Sequence, residues 1–217
     1  MCDLPNATQW RIPAMLWNVT ADSESATEGE EPELHLVLCA RDESLAAAWR
    51  EIADPRPGLA VHQGSVLDLQ VDAVVSPANS YGWMRGGIDA LYARAFPDVE
   101  QYVRSAVLAY HGGELPVGEA LLVPTGVPCP IWLISAPTMR EPGEQLPEDT
   151  VHPYLAARAV FRLWSSGVME NGAPVRQVVR SIAMPGLGTG VGGVSPALCA
   201  HQVAAAWDEV FTRVDQV

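Results

Sequence analysis

Met184-Pro-Gly-Leu-Gly-Thr-Gly-Val-Gly-Gly-Val-Ser-Pro196 leaves an apolar run and enters a helix whose start is marked by Ser195 at the N-cap and Pro196 at the first helical position. Five glycines, Gly186, Gly188, Gly190, Gly192 and Gly193, lie in this short turn, with Thr189 and Val191 between them. Without Cβ atoms in the way, consecutive backbone N–H groups can converge on phosphate oxygens, and the helix that follows adds the positive end of its dipole. A tight strand-to-helix turn alone needs fewer glycines. Gly188, Gly190 and Gly193 also satisfy GxGxxG, the dinucleotide fingerprint. Position argues against that reading: the helix expected from Ser195 to Arg213 is followed by only four residues, so no second strand presents a ribose-binding acid. Asp208 has the nominal spacing but falls on the helix itself.

Upstream, strands and helices alternate. A strand from Leu34 to Ala40, a helix from Glu43 to Ala53 and a strand from Leu59 to Gln63 come in βαβ order. A short buried strand begins at Asp72, a helix spans Gly86 to Ala95, and Asp98 is placed to cap a further helix that runs to Tyr110 and ends at Gly112. Strands follow at Glu119 to Val123 and Ile131 to Ser135, then a Pro/Glu-rich loop from Met139 to Asp149, a helix from Val151 to Ser166 and a strand from Gln177 to Met184. This pattern predicts an α/β domain over residues 34–217 with a mixed, mostly parallel central sheet covered by helices on both faces. Residues 1–33 read differently. Trp10, Ile12, Met15, Leu16 and Trp17 can dock, but Ala21 to Glu33 is acidic and turn-rich, which predicts an irregular N-terminal arm.

Composition prunes the functions available. The 217 residues are 48% hydrophobic, enough for a large core, and hold neither an apolar stretch able to span a bilayer nor an N-terminal signal pattern, so a soluble, cytoplasmic domain without membrane contact is expected. The 26 acidic against 13 basic side chains leave a net charge of −13, which repels polyanions at long range and argues against general nucleic-acid binding. All 13 basic residues are arginine, so Walker A, Schiff-base and lysine-nucleophile chemistry is excluded. Cys2, Cys39, Cys129 and Cys199 have no metal-ligand spacing and read as reduced thiols, and His62, His111, His152 and His201 suggest neither a metal nor a triad. No metal and no cofactor is expected.

A second loop repeats the strand-to-helix arrangement: Asp72-Ala-Val-Val-Ser-Pro-Ala-Asn-Ser-Tyr-Gly-Trp-Met-Arg-Gly-Gly-Ile-Asp89. Parallel α/β folds bind ligands at the C-terminal edge of the sheet, where Asn79 and Asp89 flank this turn. Each also has a plain structural reading, Asn79 as a turn residue and Asp89 as a first-turn acid complementing the helix dipole. Tyr81, Trp83, Met84 and Arg85 either cover a ligand or are ordinary loop residues.

Together the two loops resemble those of macro domains. The alanine-asparagine pair at Ala78 and Asn79, the run Gly86-Gly87-Ile88-Asp89, and the loop from Gly186 to Gly193 carry the resemblance, with Pro116 to Pro124 and Trp132 to Met139 similar to intervening strands of that family; it covers roughly Leu59 to Val210. It implies a three-layer α/β/α fold that binds ADP-ribose, or an ADP-ribosylated protein, with adenosine beside Gly64, Ser65 and Val66, the diphosphate between the two loops, and the distal ribose beside Asn79 and Asp89. Macro domains are either readers or hydrolases. The hydrolases it resembles use an asparagine to position the ribose and an aspartate to activate or orient water, which implies a catalytic pair of Asn79 and Asp89, ten residues apart, acting on mono-ADP-ribosyl carboxylate esters of proteins or on related ADP-ribose esters. The lysine-dependent mechanism is excluded, and the poly(ADP-ribose) type is disfavoured because no adjacent Glu-Glu follows a triple glycine in the first loop. Three departures stand out: Ser65 where many members carry an adenine-binding aspartate, leaving Asp68 or a backbone carbonyl as acceptor; Ser76 where the strand often ends in asparagine; and Val191 where an aromatic often packs on the distal ribose.

Overall fold

The computed structural model describes residues 33–212, so the expected arm, apart from Glu33, and the helix end at Arg213 lie outside the described residues. Six strands form one sheet in the order β2-β1-β6-β3-β5-β4. They are β1 (His35–Ala40), β2 (Leu59–Gln63), β3 (Ala73–Ser76), β4 (Leu121–Pro124), β5 (Trp132–Ser135) and β6 (Ser181–Met184). All neighbouring pairs are parallel except β4 with β5, so five strands end at one edge and β4 closes the far side antiparallel.

Side-chain alternation along each strand assigns the two faces. Leu36, Leu38, Val75, Ile134, Ile182 and Met184 pack with α1 (Glu43–Ala53), α4 (His152–Ser166) and α6 (Pro196–Trp207). Val37, Cys39, Val74, Leu133 and Ala183 pack with α2 (Gly87–Ala95) and α3 (Val99–His111). Two apolar cores therefore sandwich a sheet buried on both faces, giving the three-layer α/β/α fold. Each fully buried Leu or Ile contributes about 1.5–3 kcal/mol of transfer free energy, which is why these short strands hold without flanking length.

Three local expectations are corrected. The strand placed at Gln177 to Met184 begins only at Ser181, because Val175–Val178 winds into the short α5; Val175 and Val179, four residues apart, bury together, and the Asp72 carboxylate accepts from the N–H groups of Arg180 and Ser181 at 2.8 and 2.9 Å. Asp98 precedes α3 but makes no side-chain cap, since its backbone is left-handed at φ 60° rather than extended as a capping residue requires. The last helix is α-helical only to Trp207 and then widens into a π turn over Asp208–Thr212. There Phe211 packs against Trp207 with ring centroids 4.4 Å apart and the rings tilted by 50°, and Asp208 pairs with Arg56 at 2.6 Å.

Candidate functional site

Strand β3 ends on a loop that folds around one side chain. Asn79 is buried, and its amide serves its own turn: Nδ2 donates to the Trp83 carbonyl at 2.7 Å, while Oδ1 accepts from the Tyr81 and Trp83 N–H groups at 3.2 Å. The Met84 N–H donates to Glu100 of α3 at 3.0 Å, and Arg104 of α3 stacks on Trp83 with its guanidinium 3.4 Å from the ring centre. Clamped in this way, the loop delivers Gly86 to the start of α2 and places Asp89 in its first turn.

Asp89 is only 7% exposed, and its Oδ1 accepts from the Ser76 hydroxyl at 2.6 Å. Burial pushes its pKa up to about 6; the Ser76 bond opposes that shift and the charge of Glu100 adds to it. A carboxylate poised near neutrality at the wall of a cavity is suited to proton transfer.

The glycine-rich loop after β6 is shaped by the backbone. Val194 N–H donates to the Gly188 carbonyl at 3.1 Å and Gly193 N–H to that of Gly190 at 3.2 Å. Gly188 has φ +71°, and a Cβ on Gly192 would lie 2.7 Å from the Gly188 carbonyl oxygen, so neither position accepts a side chain without rearrangement. The loop that follows β5 straps this cradle: Leu146 N–H donates to the Gly192 carbonyl at 2.9 Å, and the Gln145 amide donates to the carbonyl of Val191.

A cavity of about 720 Å³ runs between these loops along the edge where the parallel strands end. That volume lies within the range of small-molecule and cofactor pockets. Of the residues expected from sequence, Gly64, Ser65, Val66, Ala78, Asn79, Gly86, Gly87, Ile88, Asp89, Gly186, Gly188, Thr189, Gly190 and Val191 line it. Gly192 and Gly193 do not; they form the base of the loop, under Leu146 and Gln145. Ser65 caps a 3-10 turn at Val66–Asp68 in a reciprocal box, its own N–H donating to Asp68 at 3.2 Å, so Asp68 supports the turn and is not in the wall.

Sequence reasoning missed the end of β1 and start of α1, where Cys39, Arg41, Asp42 and Leu45 line the cavity, the far turn of α2 with Leu91 and Arg94, and the β5 edge with Thr138, Met139, Pro142 and Gly143. The signal was available in principle, since every parallel strand of a βαβ array ends at the same rim. Burial pushes the Cys39 thiol up to about 12, so it stays protonated in the wall. Asp42 is spent on capping α1, accepting from Ser44 and Leu45 at 2.6 and 2.9 Å. Arg41, Arg85 and Arg94 line the cavity without a carboxylate partner among the described residues, whereas Arg50, Arg56, Arg140, Arg158 and Arg162 are all paired. Arg85 stacks on Trp83 with its guanidinium 4.1 Å from the ring centre. Among the described residues no group of three His, Cys, Asp or Glu side chains is placed to hold a metal, and no helix is long and apolar enough to cross a membrane.

A single sheet between two helical layers, with two glycine-bearing loops over one edge cavity, is an architecture suited to holding a phosphate-bearing ligand. The sequence profile of the Macro domain family matches residues 75–203, from β3 into α6. The chain belongs to that family. An uncharacterized protein of Aeropyrum pernix is 37% identical over 150 residues, 68% of this chain and 69% of its own length. The DNA ADP-ribosyl glycohydrolase of Thermus aquaticus is 26% identical over 156 residues, covering 71% of this chain but 36% of that protein. The macrodomain of Mycobacterium tuberculosis DarG superposes with a TM-score of 0.54 at 22% identity, over 68% of this chain and 88% of that one, a likeness of fold.

Proposed function

We propose that the cavity binds ADP-ribose and that the chain hydrolyses the bond joining its distal ribose to a carboxylate of a modified protein. The observation that carries this reading is that a buried carboxylate near neutral pKa, Asp89, and a glycine-rich backbone cradle, Gly186 with Gly188 to Val191, stand in the wall of one cavity. The cradle N–H groups take the diphosphate, and Asn79, with its amide spent on the loop except for one hydrogen, fixes the wall beside the ribose. Ionised Asp89 takes a proton from a water that attacks the anomeric carbon. The bond to the ester oxygen breaks, its electron pair leaves with the carboxylate, and ADP-ribose and the free acid result. General-base help of this kind is worth roughly a hundredfold to ten-thousandfold. Family membership supports the ligand class, and the Thermus aquaticus relative, by its name an ADP-ribosyl glycohydrolase, supports hydrolysis.

A second reading places the ADP-ribose on a nucleic acid strand. It is favoured by Arg41, Arg85 and Arg94, three cavity arginines without carboxylate partners among the described residues, in a chain of net charge −13, and by the DNA-directed name of that relative. Local arginines can grip phosphates even where the overall charge opposes general binding.

Calorimetry with ADP-ribose, paired with release assays on a carboxylate-linked ADP-ribosyl protein and on an ADP-ribosyl oligonucleotide, tests all of this. Release from the protein alone supports the first reading and release from the oligonucleotide alone the second. Micromolar binding with release from neither makes the chain a reader, and no binding overturns every version.

A further inference from the structure

α2 is stitched to the sheet at two successive residues of β3. The Tyr92 hydroxyl donates to the Val75 carbonyl at 3.1 Å, and one residue on, the Ser76 hydroxyl donates to Asp89 Oδ1 at 2.6 Å. Ser76 is itself fixed, since its carbonyl accepts from the Ala136 N–H at 3.0 Å and it pairs in register with Ser135 of β5. Both ends of the Ser76–Asp89 bond are buried, at 1% and 7% exposure, so water competes poorly for either atom.

We propose that Ser76 is a positioning residue for the hydrolysis: by tying Oδ1 of Asp89 to the end of β3, it holds the carboxylate in one orientation and leaves Oδ2 as the atom that faces the cavity. A serine hydroxyl suits this task because it never ionises near neutrality, so its donation to Oδ1 persists whether Oδ2 carries a proton or not. Among the described residues, Arg85 and Arg94 share the cavity wall with Asp89, and two further titratable groups bear on it. Glu100 faces it from α3, with Oε2 committed to the Met84 N–H, and Tyr92 lies one turn along α2, its proton held on the Val75 carbonyl. Ser76 from β3 supplies the stabilising contact, opposing the burial and the Glu100 charge that favour the neutral acid.

The neighbouring strand provides a matched control. Ser135 lies beside Ser76 in the same register row, is fully buried, and its hydroxyl has no hydrogen-bond partner among the described residues. Removing either hydroxyl takes one buried oxygen from the same layer, but only Ser76 touches Asp89.

This inference rests on the hydrolase reading, and its test has an arm independent of it. The pH dependence of ADP-ribosyl release and the ¹³C carboxyl titration of Asp89 are measured for wild type, Ser76→Ala, Ser76→Thr and Ser135→Ala. Ser76→Ala is expected to move both midpoints about one pH unit toward alkaline and to lower the plateau rate at least tenfold. Ser76→Thr, which keeps the donor, stays near the wild-type midpoint, and Ser135→Ala leaves the midpoint in place. If the Asp89 titration is unmoved in Ser76→Ala, or moves equally in Ser135→Ala, the proposal is overturned. If wild type releases nothing, the hydrolase reading fails, and the carboxyl titration alone then decides whether Ser76 governs Asp89.

Discussion

The two loops that wall the cavity do comparable jobs by different means. The loop after β6 is made of backbone: its glycines bond to one another, and positions such as Gly188 and Gly192 are glycine because of φ or because a carbonyl lies where Cβ would be. The loop after β3 is made of side chains, with Asn79 bracing its turn, Glu100 and Arg104 of α3 clamping it, and Ser76 holding Asp89 at its far end. A backbone site presents donors at low cost in specificity. A side-chain site can hold a proton and depends on partners distant in sequence.

The largest effect is expected at the chemical end of the side-chain loop. Asp89→Asn should lower ADP-ribosyl release by roughly a hundredfold or more while ADP-ribose affinity changes little. It should also stabilise the fold. Because the native pKa of Asp89, about 6, lies above its ordinary 3.8, the native state holds the proton more tightly across that window, and stability is lost as pH rises through it. The variant's gain should therefore be absent below about pH 4 and reach roughly 3 kcal/mol above pH 7, as read by urea unfolding at the two pH values. For wild type, release should rise with pH through about 6 and level off above it.

Next come paired glycines of the backbone loop. Gly192→Ala meets the Gly188 carbonyl and should cost about 1–3 kcal/mol of stability together with ADP-ribose affinity. Gly190→Ala has open space around it, so its melting temperature should stay near wild type and any loss should appear only in calorimetry. Equal unfolding effects at the two positions would erase the distinction between glycines that build the loop and glycines that face the ligand.

Asn79→Ala removes three bonds within one turn and should destabilise by about 1–3 kcal/mol while weakening ADP-ribose binding. Asn79→Asp keeps the acceptor but sets a carboxylate against the Trp83 carbonyl, so it should not restore wild-type affinity. The smallest effect is expected at the strap. Gln145→Ala loses one exposed bond to Val191 and should change affinity only a few-fold, a difference that calorimetry can resolve.

The boundaries of α1 and β2 could be read from apolar periodicity and turn residues because their packing follows their own pattern. The end of the last helix could not, since the π turn at Asp208–Thr212 accompanies the packing of Phe211 on Trp207, Phe161 and Trp164. Nor could α5, whose Gln177 and Val178 read as the start of a strand until the burial of Val175 and Val179 in one core is known.

By itself the sequence determined the layered α/β fold, the two glycine-bearing loops and the nearness of Asn79 and Asp89 to a sheet edge, because alternation, glycine density and spacing are local properties of the chain. Only the tertiary structure decided which groups act together. It divided Gly186, Gly188, Thr189, Gly190 and Val191, which face the cavity, from Gly192 and Gly193 beneath them, turned Asn79 inward onto its own loop, and brought Arg41 and Arg94 to the same wall. It also put the Ser76 hydroxyl on Asp89. The reason is physical: a pKa and a cavity wall are set by burial and by neighbours from several strands, and no single segment carries that information.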